Sequence, residues 1–88
     1  MDDQKPCNTV EDIVQEMIQL RKDRGMSQQR LEQLTGVRQP IISRMEAGRS
    51  TPDIDTIMRL LEPLGKCLAI VDRSKVAPIA DTRTGNKR

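Results

Sequence analysis

The chain has 88 residues, room for one domain with a thin core, and its 35% hydrophobic content includes no Phe, Trp or Tyr, which excludes an aromatic stacking platform for single-stranded nucleic acid. There is no His, and Cys7 and Cys67 stand far apart, so neither a zinc-ligand spacing nor a Cys/His nucleophile pair can be written. The net charge of +2 is divided along the chain: residues 1–20 sum to −4, whereas residues 21–49 sum to +4 through Arg21, Lys22, Arg24, Arg30, Arg38, Arg44 and Arg49 against Asp23, Glu32 and Glu46.

Apolar residues at Val10, Ile13, Val14, Met17, Ile18 and Leu20 recur at helical spacing, which predicts a helix from about residue 10 to 24 with Thr9 as its N-cap and Gly25 as its stop. Ser27 then caps a short helix running through Leu34, with Leu31 and Leu34 as its expected buried positions and Gly36 as its end. A third helix is expected from about Arg38 to Ala47. It has Ile41, Ile42 and Met45 at helical spacing and Pro40 in its first turn, where a missing N–H costs nothing. Gly48 closes it. Pro52 and Asp53 open a fourth helix whose apolar set is Ile54, Ile57, Met58, Leu60, Leu61 and Leu64, and Pro63 should disturb its last turn before Gly65.

After Gly65 the period changes. Cys67, Leu68, Ala69, Ile70 and Val71 form a continuous β-favouring run, too short for a helix and bounded by Lys66 and Asp72. A lone strand has no ladder partner in a helical chain, and Pro78 interrupts the next apolar stretch, so pairing with a second copy is the simplest remedy. The expected fold is therefore mainly α, with four to five helices and a single C-terminal β-strand pairing across a homodimer. Residues 9–72 would form the domain, with residues 1–8 a disordered N-terminal segment and residues 73–88 a flexible basic tail. No apolar run approaches the roughly 18 residues a bilayer span needs. The cysteines read as reduced thiols, so a soluble cytoplasmic protein is expected.

The informative stretch runs from Ser27 to Glu46: a short capped helix, a tight glycine turn and a second short helix. This is a helix-turn-helix pattern, in which Leu31, Val37, Ile42 and Met45 lock the two helices and polar residues face outward. Gln39, Ser43 and Arg44 fall on that outer face, and Gln and Arg are side chains that pair bidentately with adenine and guanine in the major groove. A plain helical hairpin with a solvated polar surface has the same outline, and the pattern alone does not separate the two.

From about Ile18 to Val71 the chain closely resembles the Cro/phage-repressor (XRE) helix-turn-helix family, through Gly25-Met-Ser-Gln, Leu34-Thr-Gly-Val, Gln39-Pro-Ile-Ile-Ser-Arg-Met-Glu-Ala-Gly48 and Leu64-Gly-Lys-Cys-Leu-Ala-Ile-Val71. The resemblance implies a lambda-repressor-like domain binding double-stranded DNA at a palindromic operator. It implies base readout by Arg38, Gln39, Ser43 and Arg44, and phosphate contacts by Gln28, Gly48, Arg49 and Ser50, with Gln28 also supporting Gln39. Cys67, Leu68, Ala69, Ile70 and Val71 would form the dimerisation strand. A structural pair of Arg21 with Glu46 is also implied. Glu32 departs from the pattern, because the family usually has Ala there, so a changed helix crossing or an outward-turned side chain is expected. Pro40 could touch a thymine methyl, but is read as starting its helix.

The closing Leu64–Val71 stretch is similar to that of HigA- and HipB-type antitoxins, which repress their own operon as dimers and bind a neighbouring toxin, of the RelE/ParE class for HigA-like members. The same ending occurs on stand-alone repressors without a toxin. A toxin-neutralising module with secondary DNA binding is the further alternative. An enzyme would need a nucleophile, a base and an oriented partner, and no such set is present, so neither catalysis nor a cofactor is expected. When bound to DNA the protein would sit in the nucleoid.

Overall fold

The computed structural model describes Cys7 and residues 9–75, in which four helices, α1 (Val10–Asp23), α2 (Gln28–Thr35), α3 (Gln39–Glu46) and α4 (Ile54–Leu61), are followed by 3-10 turns at Glu62–Leu64 and Arg73–Lys75. The starts are local chemistry. Thr9 accepts a hydrogen bond from the Asp12 N–H, Ser27 from Arg30 and Asp53 from Thr56, each side chain taking one of the N–H groups that a helix start leaves unpaired. The ends are set by glycine. Gly36 closes α2 at a φ of +82°, in the left-handed region that side chains disfavour. After α3, Gly48 donates to the Met45 carbonyl and Arg49 to the Arg44 carbonyl, the paired bonds of a left-handed helix stop. Pro63 shifts the end of α4 into the 3-10 turn, because its nitrogen cannot continue the helical ladder.

Each helix contributes to one core: Val14 and Met17 from α1, Leu31 from α2, Ile42 and Met45 from α3, and Ile57, Leu60 and Leu61 from α4, with Val37 and Leu64 from the connections. Ile42, Leu60 and Leu64 are the largest fully buried side chains, and each contributes roughly 1.5–3 kcal/mol by leaving water. No aromatic ring fills space in this core, so the helices must approach closely. The expected lock between α2 and α3 through Leu31, Val37, Ile42 and Met45 is present.

The expected burial of Leu34 is corrected. Leu34 is 42% exposed and Ile41 40% exposed, because each lies at the edge of the apolar stripe of an eight-residue helix whose centre is held by Leu31 in one case and Ile42 and Met45 in the other. On α4, Ile54 and Met58 point away from the core and are exposed.

Residues 66–72 carry neither helix nor ladder within the single chain. Leu68 packs partly against the core, whereas Ile70 is fully exposed. The strand expected at 67–71 is not formed, and among the described residues nothing pairs with it. Cys7 and Cys67 are exposed free thiols. Residues 1–6, Asn8 and 76–88, on which most of the expected disordered segment and basic tail fall, lie outside the described residues. Among the described residues no helix is long and apolar enough to cross a membrane.

Candidate nucleic-acid interface

α3 is presented by the turn that precedes it. Thr35 donates its hydroxyl proton to the Leu31 carbonyl at 2.8 Å and accepts from the Val37 N–H at 3.1 Å, and Gly36 reverses the chain between them. Val37 is thereby driven into the core while Arg38, the N-cap of α3, stays exposed. Pro40 occupies the first turn and is itself exposed. Along the outer side of α3 stand Arg38 and Arg44, exposed, with Gln39 and Ser43 half-buried.

A hydrogen-bonded chain fixes Gln39. Its Nε2 donates to Gln28 Oε1 at 2.7 Å, and Gln28 Nε2 donates in turn to Glu46 Oε1 at 2.9 Å. Glu46 is gripped bidentately by Arg21, Nε to Oε2 and Nη2 to Oε1, both at 2.8 Å. The remaining reach of Arg21 goes to the Met26 carbonyl at 2.7 Å. The expected pairs Arg21 with Glu46 and Gln28 with Gln39 are both present, and Glu46 Oε1 joins them into one network that sequence reasoning missed.

That network is well shielded, the Arg21 and Glu46 side chains being 11% and 10% exposed. Burial alone would raise the Glu46 carboxyl above its ordinary pKa, but the hydrogen bonds from Arg21 and Gln28, with the charges of Arg21 and Lys22, outweigh it and hold the group below that value. Glu46 is therefore an anion at neutral pH, and its oxygens orient the Gln28 amide with its N–H toward Glu46 and its carbonyl toward Gln39. A glutamine amide has two N–H donors and an oxygen with two lone pairs. Gln39 thus keeps one N–H and its carbonyl oxygen for a further partner, and Gln28 keeps one N–H.

Glu32 is the second contact that the sequence did not reveal. It does not turn outward: Oε1 accepts from the backbone N–H of Gln39 at 3.1 Å. The signal was there in the neighbouring residue, because Arg38 at the N-cap has no acceptor with which to cap its own helix.

Gly48, Arg49 and Ser50 follow α3 directly and are exposed. The Gly48 and Arg49 N–H groups are used in closing α3, so Arg49 offers its guanidinium and Ser50 its hydroxyl and N–H beside the outer face. The arrangement is a polar, mostly cationic helix face whose first side chain is held rigid from behind. Such a face suits paired acceptors and donors in a groove flanked by phosphates.

A helix-turn-helix family model matches residues 17–68, more than half of the chain and the whole of α2, α3 and α4. The chain belongs to the helix-turn-helix family of Cro/phage-repressor (XRE) type. Over 59 residues this helix-turn-helix chain is 48% identical to an uncharacterized HTH-type transcriptional regulator of Haemophilus influenzae, an alignment covering 67% of the chain and 60% of that relative. Over 50 residues it is 40% identical to repressor protein C of Escherichia phage P2, covering 57% of the chain and 50% of the repressor. The chain therefore spans about 60% and 50% of the lengths of these two relatives. Among solved structures it is similar to a toxin–antitoxin module from Streptococcus pneumoniae, with a TM-score of 0.62 and 44% identity over 73% of this chain and 70% of that one.

Proposed function

We propose that the chain is a transcriptional repressor that binds a palindromic double-stranded operator as a homodimer, inserting α3 into the major groove. The observation that carries this reading is the held Gln39. A glutamine fixed through one N–H still presents a carbonyl oxygen and an N–H side by side, the pair that matches adenine N6 and N7. Arg38, Ser43 and Arg44 complete the base-reading set, with Arg44 suited to guanine. Gln28, Arg49 and Ser50 contact phosphates. Gly48 belongs with them as the turn that brings the backbone close to the duplex and presents its two successors.

The dimer in this reading forms through Cys67, Leu68, Ala69, Ile70 and Val71, paired antiparallel across a two-fold axis. Support comes from the described residues, among which this stretch has no ladder partner and leaves Ile70 and Val71 exposed. Pairing would hold two α3 helices roughly 34 Å apart, one duplex turn. The test is a reporter gene placed behind the promoter of the chain's own operon. Expression should fall when the wild type is supplied and recover with Gln39→Ala; equal repression by both would remove α3 from the mechanism.

Within this reading the chain is also an antitoxin that represses its own operon and binds a toxin of the RelE/ParE class. The likeness to the Streptococcus pneumoniae module, together with the Leu64–Val71 ending, supports this role. The likeness to repressor protein C favours the alternative of a repressor without a toxin. Co-expression with the product of the adjacent open reading frame separates them: growth arrest relieved by this chain supports the antitoxin, and a harmless neighbour supports the stand-alone repressor.

A further inference from the structure

α3 begins without an ordinary cap, and its first N–H groups can be accounted for one by one. Pro40 has none, the Ile41 N–H donates to the Arg38 carbonyl at 2.9 Å, and the Gln39 N–H donates to Glu32 Oε1 at 3.1 Å. Arg38 contributes no side-chain cap. Among the described residues Glu32 is thus the one side chain that closes the N-terminus of α3, and it does so from α2, the helix that also holds the Gln39 amide through Gln28. Both ends of Gln39, backbone and side chain, are fastened to the same neighbouring helix.

We infer that Glu32 is a specificity-determining positioning residue, which fixes the backbone of Gln39 so that its side chain meets only one base geometry. The inference rests on the proposal that Gln39 reads a base. With the Glu32 bond made, the Gln39 N–H is not free to take a phosphate oxygen, and the first turn of α3 has one position against α2. Without it, the N-terminal N–H and the positive end of the helix dipole become open to any phosphate, whatever the sequence. Binding then continues, but discrimination falls. Glu32→Gln keeps an acceptor on the same stem, whereas Glu32→Ala removes it.

The test uses the full chain and two duplexes: one enriched by the wild type from a randomised double-stranded pool, and one scrambled from it. The quantity read is the ratio of the two affinities, which does not change if part of a variant preparation is unfolded. Glu32→Ala should lower this ratio about five- to tenfold, the worth of a single hydrogen bond. Glu32→Gln should keep it within about twofold of the wild type. A wild-type ratio in Glu32→Ala overturns the inference, and so does an equal loss in Glu32→Gln, which would make the charge rather than the bond responsible. Gln39→Ala separates the two levels: an unchanged ratio there shows that Gln39 reads no base, a failure of the underlying proposal rather than of the role of Glu32.

Discussion

Gln28 and Gln39 are the first residues of α2 and α3, and their side-chain amides are joined end to end, Gln39 Nε2 donating to Gln28 Oε1 at 2.7 Å. One amide thus orients the other, and behind both stands the Glu46 carboxylate. Gln28→Ala should consequently act on two levels, removing a phosphate contact and freeing the Gln39 side chain to rotate. Titrations on selected and scrambled duplexes should show weaker binding to both, with the larger loss on the selected one.

Arg44→Ala should cost roughly 1–3 kcal/mol on the selected duplex and little on the scrambled one, because its proposed contact is to a base edge. Arg49→Ala should instead weaken both duplexes alike and reduce the salt dependence by about one counterion. Equal losses on both duplexes for Arg44→Ala would take it off the base-reading list.

Removing either partner of the Arg21–Glu46 pair strands a shielded charge, and Arg21→Ala should cost about 3 kcal/mol of stability in denaturant titration. The acid limb follows from the same pair. The folded pKa of Glu46 lies below its unfolded one, so its stabilisation is complete above the ordinary carboxylate range and is lost as pH falls through the folded value. Asp53 contributes in the same direction through its hydrogen bonds from Thr56. Thermal midpoints should hold from pH 7 to about 5 and fall below about 4. Glu46→Gln should be less stable at pH 7 and show a shallower acid fall.

Much of this fold is written in short-range signals. Thr9, Ser27 and Asp53 start helices because their side-chain oxygens reach N–H groups three residues on, and glycine stops four of the helical segments, contacts that need no knowledge of the rest of the molecule. The exposure of Leu34 escapes the sequence for the opposite reason: a helix of eight residues makes barely two turns, too few to tell the centre of a buried stripe from its edge. The joining of Arg21, Glu46, Gln28 and Gln39 spans all three of α1, α2 and α3, so periodicity cannot reveal it. Glu32 was legible only by asking where the first N–H of α3 finds its acceptor.

Ile70→Asp should prevent strand pairing by placing a charge among apolar side chains at the proposed two-fold axis, while leaving the domain folded, since Ile70 is outside its core. Sedimentation at micromolar concentration should give a dimer for the wild type and a 10.0 kDa monomer for the variant. A wild type that sediments as a monomer contradicts the strand dimer.

The central claim, that paired α3 helices read bases on one face of a duplex, is tested most directly by selection from a randomised double-stranded pool. The wild type should enrich an inverted repeat with half-sites about one helical turn, roughly 10 base pairs, apart. Gln39→Ala should enrich the same repeat with one position in each half relaxed. No inverted repeat from the wild type, or an unaltered repeat from Gln39→Ala, would contradict it.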